Sequence, residues 1–276
     1  MKTRFAPSTT GYLHIGHILH LKYVWGLAKK YNGTVCCRIE NHDRERDRPE
    51  YETAILENLD WLGFVPDSGL SIHHHPHPSP FRQSDCSDIY EKMLQRLVEK
   101  DLVYGCSCTR KEIQARNKSS DNELCYDGTC AQKNLPLEGN TVRFRIPSSS
   151  ITFTDERLGA QTQTPKTQCG DFSLRDRNGQ WTYHFCCVCD DIRHGIDWVI
   201  RGEDLLQSTA RQILLFHAFD APPPRYFHHP LLCDSNGNKW SKRQHAQSIA
   251  QQRKLNRSPQ TLLNQAGSIQ LQSSSK

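Results

Sequence analysis

Three groups of residues have types and spacings that could do chemistry. His14 and His17 stand three apart where a short strand-like run gives way to a helical pattern. Histidines at i and i+3 share one helix face, and a helix N-terminus offers unpaired N–H groups and a partial positive charge. The pair could therefore hydrogen-bond a phosphate-bearing ligand, and Gly16 between them leaves room for a flat ring to approach. Far along the chain, Lys239-Trp240-Ser241-Lys242-Arg243 follows the turn-forming Ser235-Asn236-Gly237-Asn238. Lysines on such a loop can follow charge as a leaving group departs. Each group alone also fits a plain surface, as two helix histidines or a basic loop. The third group is Cys106-Ser107-Cys108 with Cys130 downstream. Three thiolates and a fourth donor would complete a zinc tetrahedron; the alternative is that the cysteines simply pack.

The elements that must position these residues read as strand, helix, strand, helix: residues 3–6, 13–31, 34–40 and 51–62, the last closed by Gly63. That order predicts a parallel, doubly wound α/β sheet with the histidines at a strand-to-helix turn. A Pro-, His- and Ser-rich loop over 66–80 precedes a third helix over 87–100. Residues 101–171 change character, with close-set cysteines, polar linkers and strand patterns at 141–146 and 151–155. Buried-strand patterns return at 181–190 and 198–201, followed by a helix over 205–218. Pro222-Pro223-Pro224 breaks the chain before a last strand over 226–233. We expect a Rossmann-like domain from 1–98 and 172–250, an inserted subdomain over 99–171, and a polar, flexible tail over 251–276 with one weak helical segment at 259–266.

Composition narrows the class. The chain has 276 residues, 24% of them charged, and a formal net charge of +5. No run of about 20 apolar residues occurs, so a membrane-spanning helix is excluded. The N-terminus lacks the basic and apolar regions of a signal peptide, which makes the cytoplasm the expected compartment. Twelve cysteines then point to reduced thiols rather than disulfides. Cys36-Cys37 and Cys186-Cys187-Val188-Cys189 read as core packing in buried strands, and His73-His74-His75-Pro76-His77 as a solvated loop. No acidic residue follows Asp234, whereas seven lysines and arginines do, a balance suited to phosphates or nucleic acid.

Longer blocks resemble one family. Arg4-Phe5-Ala6-Pro7-Ser8-Thr9-Thr10-Gly11-Tyr12-Leu13-His14-Ile15-Gly16-His17 is similar to the R-F-A-P-S-P-T-G-x-L-H-x-G-H opening of glutamyl-type class I aminoacyl-tRNA synthetases, with Thr9 where the family has proline. Lys239-Trp240-Ser241-Lys242-Arg243 resembles the K-L-S-K-R second signature, with Trp240 in place of Leu. Arg38-Ile39-Glu40-Asn41-His42-Asp43 resembles R-I-E-D-x-D, Asn41 replacing an Asp. Tyr183-His184-Phe185 and Ile200-Arg201-Gly202-Glu203-Asp204 resemble Y-H-F and I-R-G-x-D. Cys106-x-Cys108-Thr109 with Tyr126-Asp127-Gly128-Thr129-Cys130 resembles the zinc block of the glutamyl-queuosine tRNA(Asp) synthetases, in which a tyrosine is the fourth ligand; Cys125, next to Tyr126, is a softer substitute.

The resemblance implies an α/β class I synthetase fold, a Rossmann-like doubly wound parallel sheet with an inserted zinc-binding, acceptor-type subdomain. It implies catalytic His14, His17, Lys239 and Lys242, and ATP bound by these with Pro7, Gly16 and Ser241. Glutamate would be bound by Arg4, Ser8, Glu40, Tyr183 and Arg201. One structural Zn²⁺ would sit on Cys106, Cys108, Cys130 and Tyr126, with Mg²⁺ accompanying ATP. Two guanidinium groups suit a dicarboxylic amino acid, because arginine forms forked bonds to carboxylate. Since the chain stops shortly after the lysine loop, the expectation is an enzyme that activates L-glutamate and passes it to queuosine-containing tRNA(Asp). A monomer without membrane association is expected as well. A truncated glutamyl-tRNA synthetase acting on tRNA(Glu), or an inactive synthetase-like binding protein, are the alternatives.

Overall fold

In the computed structural model, residues 1–117, 124–232 and 248–268 are described. The chain opens with β1 (Lys2–Phe5), α1 (Ile15–Lys30), β2 (Thr34–Cys37), α2 (Pro49–Leu62) and the short β3 (Ser68–Gly69). Strands β1, β2 and β3 are parallel neighbours in that order. Helix α1 turns Ile15, Ile18, Leu19, Leu21, Val24 and Ala28 into the core, the 3.6-residue spacing that marked it in the sequence. Helix α2 starts on Pro49 and stops at Gly63, whose φ of 79° is the left-handed conformation a C-terminal cap requires.

There follow α3 (Ser87–Glu99), β4 (Val103–Cys106), α4 (Arg110–Arg116), β5 (Thr141–Phe144), β6 (Ile151–Asp155), β7 (Gly159–Gln163), α5 (Pro165–Gln168) and β8 (Ser173–Arg175). Next come α6 (Tyr183–Arg193), β9 (Trp198–Gly202), α7 (Thr209–Ala218), β10 (Arg225–His229), α8 (Ile249–Lys254) and α9 (Pro259–Ser268). Strands β4, β5 and β8 form a small antiparallel sheet. The hairpin β6–β7 instead joins a second sheet in the order β7-β6-β10-β9, with β6, β10 and β9 parallel. β9 runs beside β1, tied by the Asp197 amide to the Lys2 carbonyl at 3.1 Å. Across that seam the spatial order is β3-β2-β1-β9-β10, the doubly wound arrangement expected from the sequence. Its topological switch point lies between β1 and β9, where such sheets bind ligands beyond the strand ends.

Two sequence expectations are corrected here. Residues 181–190 were expected to be a strand, yet Tyr183–Arg193 is a helix. Every side chain from Phe185 to Asp191 is buried, so no polar face marks the period, and an apolar run of this length fits either element. Its cysteines do pack in the core, but around a helix. The described part of the expected tail over 251–276, with its weak helix at 259–266, is also not loose. Ile249, Leu262 and Ala266 are buried in the main core beside α1 and α2, and the Ile249 amide bonds the Leu13 carbonyl at 2.8 Å. Their apolar residues are few, and the polar surroundings hide the i, i+4 pair Leu262/Ala266. Truncating Leu262→Ala should therefore cost about 2–4 kcal/mol, read as a fall in the urea midpoint, whereas a solvated tail would leave it unchanged.

Candidate functional site

His14 is the residue that caps α1. Its Nδ1 accepts the Gly16 amide at 3.1 Å, and His17 Nδ1 reaches back to accept the His14 amide at 3.0 Å. The two imidazoles thus do the work of a Ser…Glu capping box. With both Nδ1 atoms accepting, the proton of each neutral ring sits on Nε2. Gly16 is needed for this geometry, because a Cβ there would lie 2.9 Å from Cε1 of His14. Facing the motif, a cleft of about 380 Å³ is lined by His14, Gly16, His17, His20, Arg201 and Asp204 among others. It opens at the C-terminal ends of β9 and β10. A larger cavity of about 670 Å³ sits near Met1, Asp197 and Pro222–Pro224, away from these groups.

Beside the cleft the amino-acid residues expected from the sequence lie near one another. Arg4 on β1 holds Asp191 through Nε at 3.2 Å and donates Nη1 to the Ile200 carbonyl at 3.3 Å. Arg38, wholly buried, bonds Asp191 at 2.8 Å and Glu40 at 2.9 Å. Burial raises the Asp191 carboxyl, but Arg4 and Arg38 hold it below its ordinary range. The Tyr183 hydroxyl is pushed well up by burial and feels Cys187, Glu40, Arg201 and Arg4, which places these groups around it. Arg201 donates to His228, Gln212 and Thr209, all buried. His184 lies against Arg211 and Gln212, and burial lowers it to about 3, so it is neutral. Pro7 is buried and its carbonyl accepts the Glu40 amide at 2.9 Å, whereas Ser8 is exposed and bonds Thr10 at 3.1 Å. Lys239, Ser241 and Lys242 lie outside the described residues.

Sequence reasoning missed Arg38 as the hub and His228, Thr209 and Gln212 as partners of Arg201. Arg38 lay inside a quoted block, two residues before Glu40; the other three carry no local signal, because they come from β10 and α7. The departures at Thr9 and Asn41 also acquire a meaning. The Thr9 hydroxyl bonds Asp47, and Asn41 Nδ2 donates to the same carboxylate at 3.2 Å and to Ser84 at 3.0 Å. Without the family's proline, this turn is held by Thr9 itself, which is fully buried and tied. An aspartate at 41 would have no proton for Asp47.

The cysteine cluster lies at the end of β4. Sγ atoms of Cys106, Cys108 and Cys130 are all within 4.8 Å of one another, with Cys108 and Cys130 at 3.6 Å. A tetrahedral ion with bonds of about 2.3 Å separates its sulfurs by about 3.8 Å, so the trio could hold a metal. The Tyr126 hydroxyl completes the set, 3.2 Å from Cys106 and 3.7 Å from Cys108. Cys125 is turned elsewhere, its thiol 3.6 Å from the Lys166 carbonyl. Residue 126 bridges Gly170 in extended form, and adjacent side chains of an extended chain point apart. A Cβ on Gly170 would stand 1.9 Å from the Tyr126 carbonyl, so only glycine allows that approach. Burial raises the Cys130 thiol, but hydrogen bonds, chiefly from Tyr126, bring it down to about 6, the thiolate range a metal needs. Arg116, 3.2 Å from Cys108, and Arg143, stacked 3.7 Å over the Tyr126 ring, supply positive charge.

With this geometry in view, the comparisons with known proteins are decisive. The profile described as tRNA synthetases class I (E and Q), catalytic domain, matches residues 1–274. The chain belongs to this family. It is 35% identical over 268 residues to glutamate–tRNA ligase 1 of Syntrophus aciditrophicus, covering 96% of this chain and 55% of that protein. It is 36% identical over 267 residues to the glutamate–tRNA ligase of Anaeromyxobacter dehalogenans, covering 95% and 56%. Among solved structures, a glutamate tRNA ligase from Elizabethkingia meningosepticum in complex with its amino acid superposes with a TM-score of 0.76 at 32% identity, over 88% of this chain and 52% of that one. The chain thus spans about half the length of these relatives. The class I fold, with its Rossmann-like parallel sheet, is the one expected from the sequence.

Metal content separates the two candidate fourth donors. Purified protein should retain about one metal ion per chain by mass spectrometry, because three thiolates and a phenol make a closed site. Cys130→Ser and Cys108→Ser should lose it, Tyr126→Phe should weaken it, and Cys125→Ser should leave it in place. Loss in Cys125→Ser with retention in Tyr126→Phe would reverse the assignment.

Proposed function

We propose that this chain activates L-glutamate with ATP as glutamyl-adenylate and transfers it to the queuosine base of tRNA(Asp). The observation that carries the first step is the convergence of Arg4, Glu40, Tyr183 and Arg201 beside the cleft headed by His14 and His17. In that step the glutamate α-carboxylate oxygen attacks the α-phosphorus in line, an O–P bond forms, and pyrophosphate leaves with the electron pair of the broken P–O bond. Nε2–H of His14 and His17 would donate to phosphate oxygens, with Lys239 and Lys242 meeting the charge on the departing pyrophosphate. Mg²⁺ with the nucleotide would neutralise phosphate charge. Arg201 and Arg4 would bind the side-chain carboxylate, and Glu40 the ammonium group. In the second step a hydroxyl of the acceptor attacks the adenylate carbonyl and AMP leaves. Zinc on Cys106, Cys108, Cys130 and Tyr126 would be structural, fixing the end of β4.

The queuosine acceptor is favoured by the Tyr126-Asp127-Gly128-Thr129-Cys130 block, whose tyrosine hydroxyl joins the thiols. Charging of tRNA(Glu) at its 3′ end is favoured by the names of the relatives, which are glutamate–tRNA ligases. Glutamate-dependent ATP–pyrophosphate exchange tests the first step. Exchange without any tRNA, with labelled glutamate then passing to queuosine-containing but not queuosine-free tRNA(Asp), is the expected result. Exchange that requires tRNA(Glu), with transfer to it, would establish the second acceptor. No exchange under either condition sinks glutamate activation altogether.

A further inference from the structure

Arginine carries five N–H bonds, and in Arg201 three are committed within the protein. Nε donates to His228 Nε2 at 3.0 Å, Nη1 to Gln212 Oε1 at 2.6 Å and Nη2 to Thr209 Oγ1 at 2.9 Å. Two remain, one on each terminal nitrogen, the number a carboxylate accepts in a forked pair. This disposition requires that His228 Nε2 hold a lone pair rather than a proton. Asp155 decides which. Its Oδ2 lies 2.7 Å from His228 Nδ1 and also accepts the His228 amide at 3.0 Å, while Oδ1 accepts the amides of Leu158 and Arg157 at 2.9 and 3.1 Å. A carboxylate can only accept, so the proton is on Nδ1 and Nε2 faces Arg201 as an acceptor. Asp155, His228 and Arg201 are 1%, 0% and 3% exposed, so water cannot substitute for any of these partners.

We propose that Asp155 and His228 are positioning residues: Asp155 sets the His228 tautomer, His228 sets the rotation of the Arg201 guanidinium, and preference for a substrate bearing a side-chain carboxylate over the matching amide depends on both. The inference rests on the reading of Arg201 as the carboxylate partner. Asp155 never approaches the substrate; it acts from β6, two strands from β9. Burial also keeps the imidazole neutral, outweighing the pull of Asp155 toward the charged form.

The test uses the full chain with two variants. Asp155→Asn keeps shape but can offer an N–H to Nδ1, which moves the ring proton to Nε2 and turns it against Arg201 Nε–H. His228→Gln keeps an acceptor oxygen for Arg201 and should be the milder change. Calorimetric titration with glutamate, glutamine and ATP should show Asp155→Asn weakening glutamate by about 10–100-fold, as loss of an orienting partner does elsewhere. ATP affinity should stay within about twofold, since the nucleotide contacts are untouched. The preference for glutamate over glutamine should shrink by the same factor as glutamate affinity. Equal weakening of glutamate and ATP with the preference unchanged would mean a merely structural role and overturn the inference. So would variants that bind glutamate like the unmodified protein. If the unmodified protein binds ATP but no glutamate, the amino-acid reading of Arg201 fails and this one falls with it. Should Asp155→Asn not fold, His228→Gln decides on the same measurements.

Discussion

The constraint on which the rest depends is the burial of charge around Arg38. Removing an ion from water costs several kcal/mol even after relaxation, and only close opposite charge offsets it. Arg38 is 0% exposed and faces Glu40, Asp190 and Asp191; Arg4 shares Asp191, and Arg193 takes Asp190 at 2.8 Å. Gln83 Nε2 and the Tyr90 hydroxyl donate to the same Asp190 carboxylate. Three guanidiniums and three carboxylates thus balance, and the pairing admits one relative placement of β1, β2 and α6. Displacing α6 would leave unpaired charge in a dry interior, so Tyr183 at its start is held in a fixed place beside Arg4 and Glu40. The cluster contributes specificity of arrangement more than net stability, since apolar packing could fill the same volume at less cost.

The same frame explains how the two halves of the sheet communicate. Arg4 reaches from β1 to the Ile200 carbonyl on β9, and Arg201, the next residue, turns to the cleft. His14, capping the helix after β1, and Arg201, at the end of β9, therefore meet across one seam and line one cleft.

Much of this was legible in the sequence, and the part that was not has a physical reason. The strand–helix order, the histidine turn and the clustering of Cys106, Cys108 and Cys130 follow from periodicity and spacing, which are local. The grouping of Arg4, Glu40, Tyr183 and Arg201 came from resemblance, because those residues are spread over nearly two hundred positions. The helix at Tyr183–Arg193 was hidden by burial on every side, and the packing of Leu262 and Ala266 by polar neighbours. That the Tyr126 hydroxyl, and not the Cys125 thiol, lies beside the three cysteines depends on which way an extended chain turns its side chains, which requires knowing that Tyr126 bridges Gly170. The meeting of Thr9 and Asn41 on Asp47 could not be seen until the loop after β2 was folded back.

His14 and His17 close the N-terminus of α1 with their own Nδ1 atoms. The motif is thereby part of the architecture: one nitrogen of each ring belongs to the helix whatever the other binds. Any chain built on this frame, catalytic or not, would lose a helix cap on discarding either ring. Retention of the two histidines in a distant relative is therefore weaker testimony to enzymatic competence than their fame as a signature suggests, and the residues to inspect instead are those with no structural employment of their own.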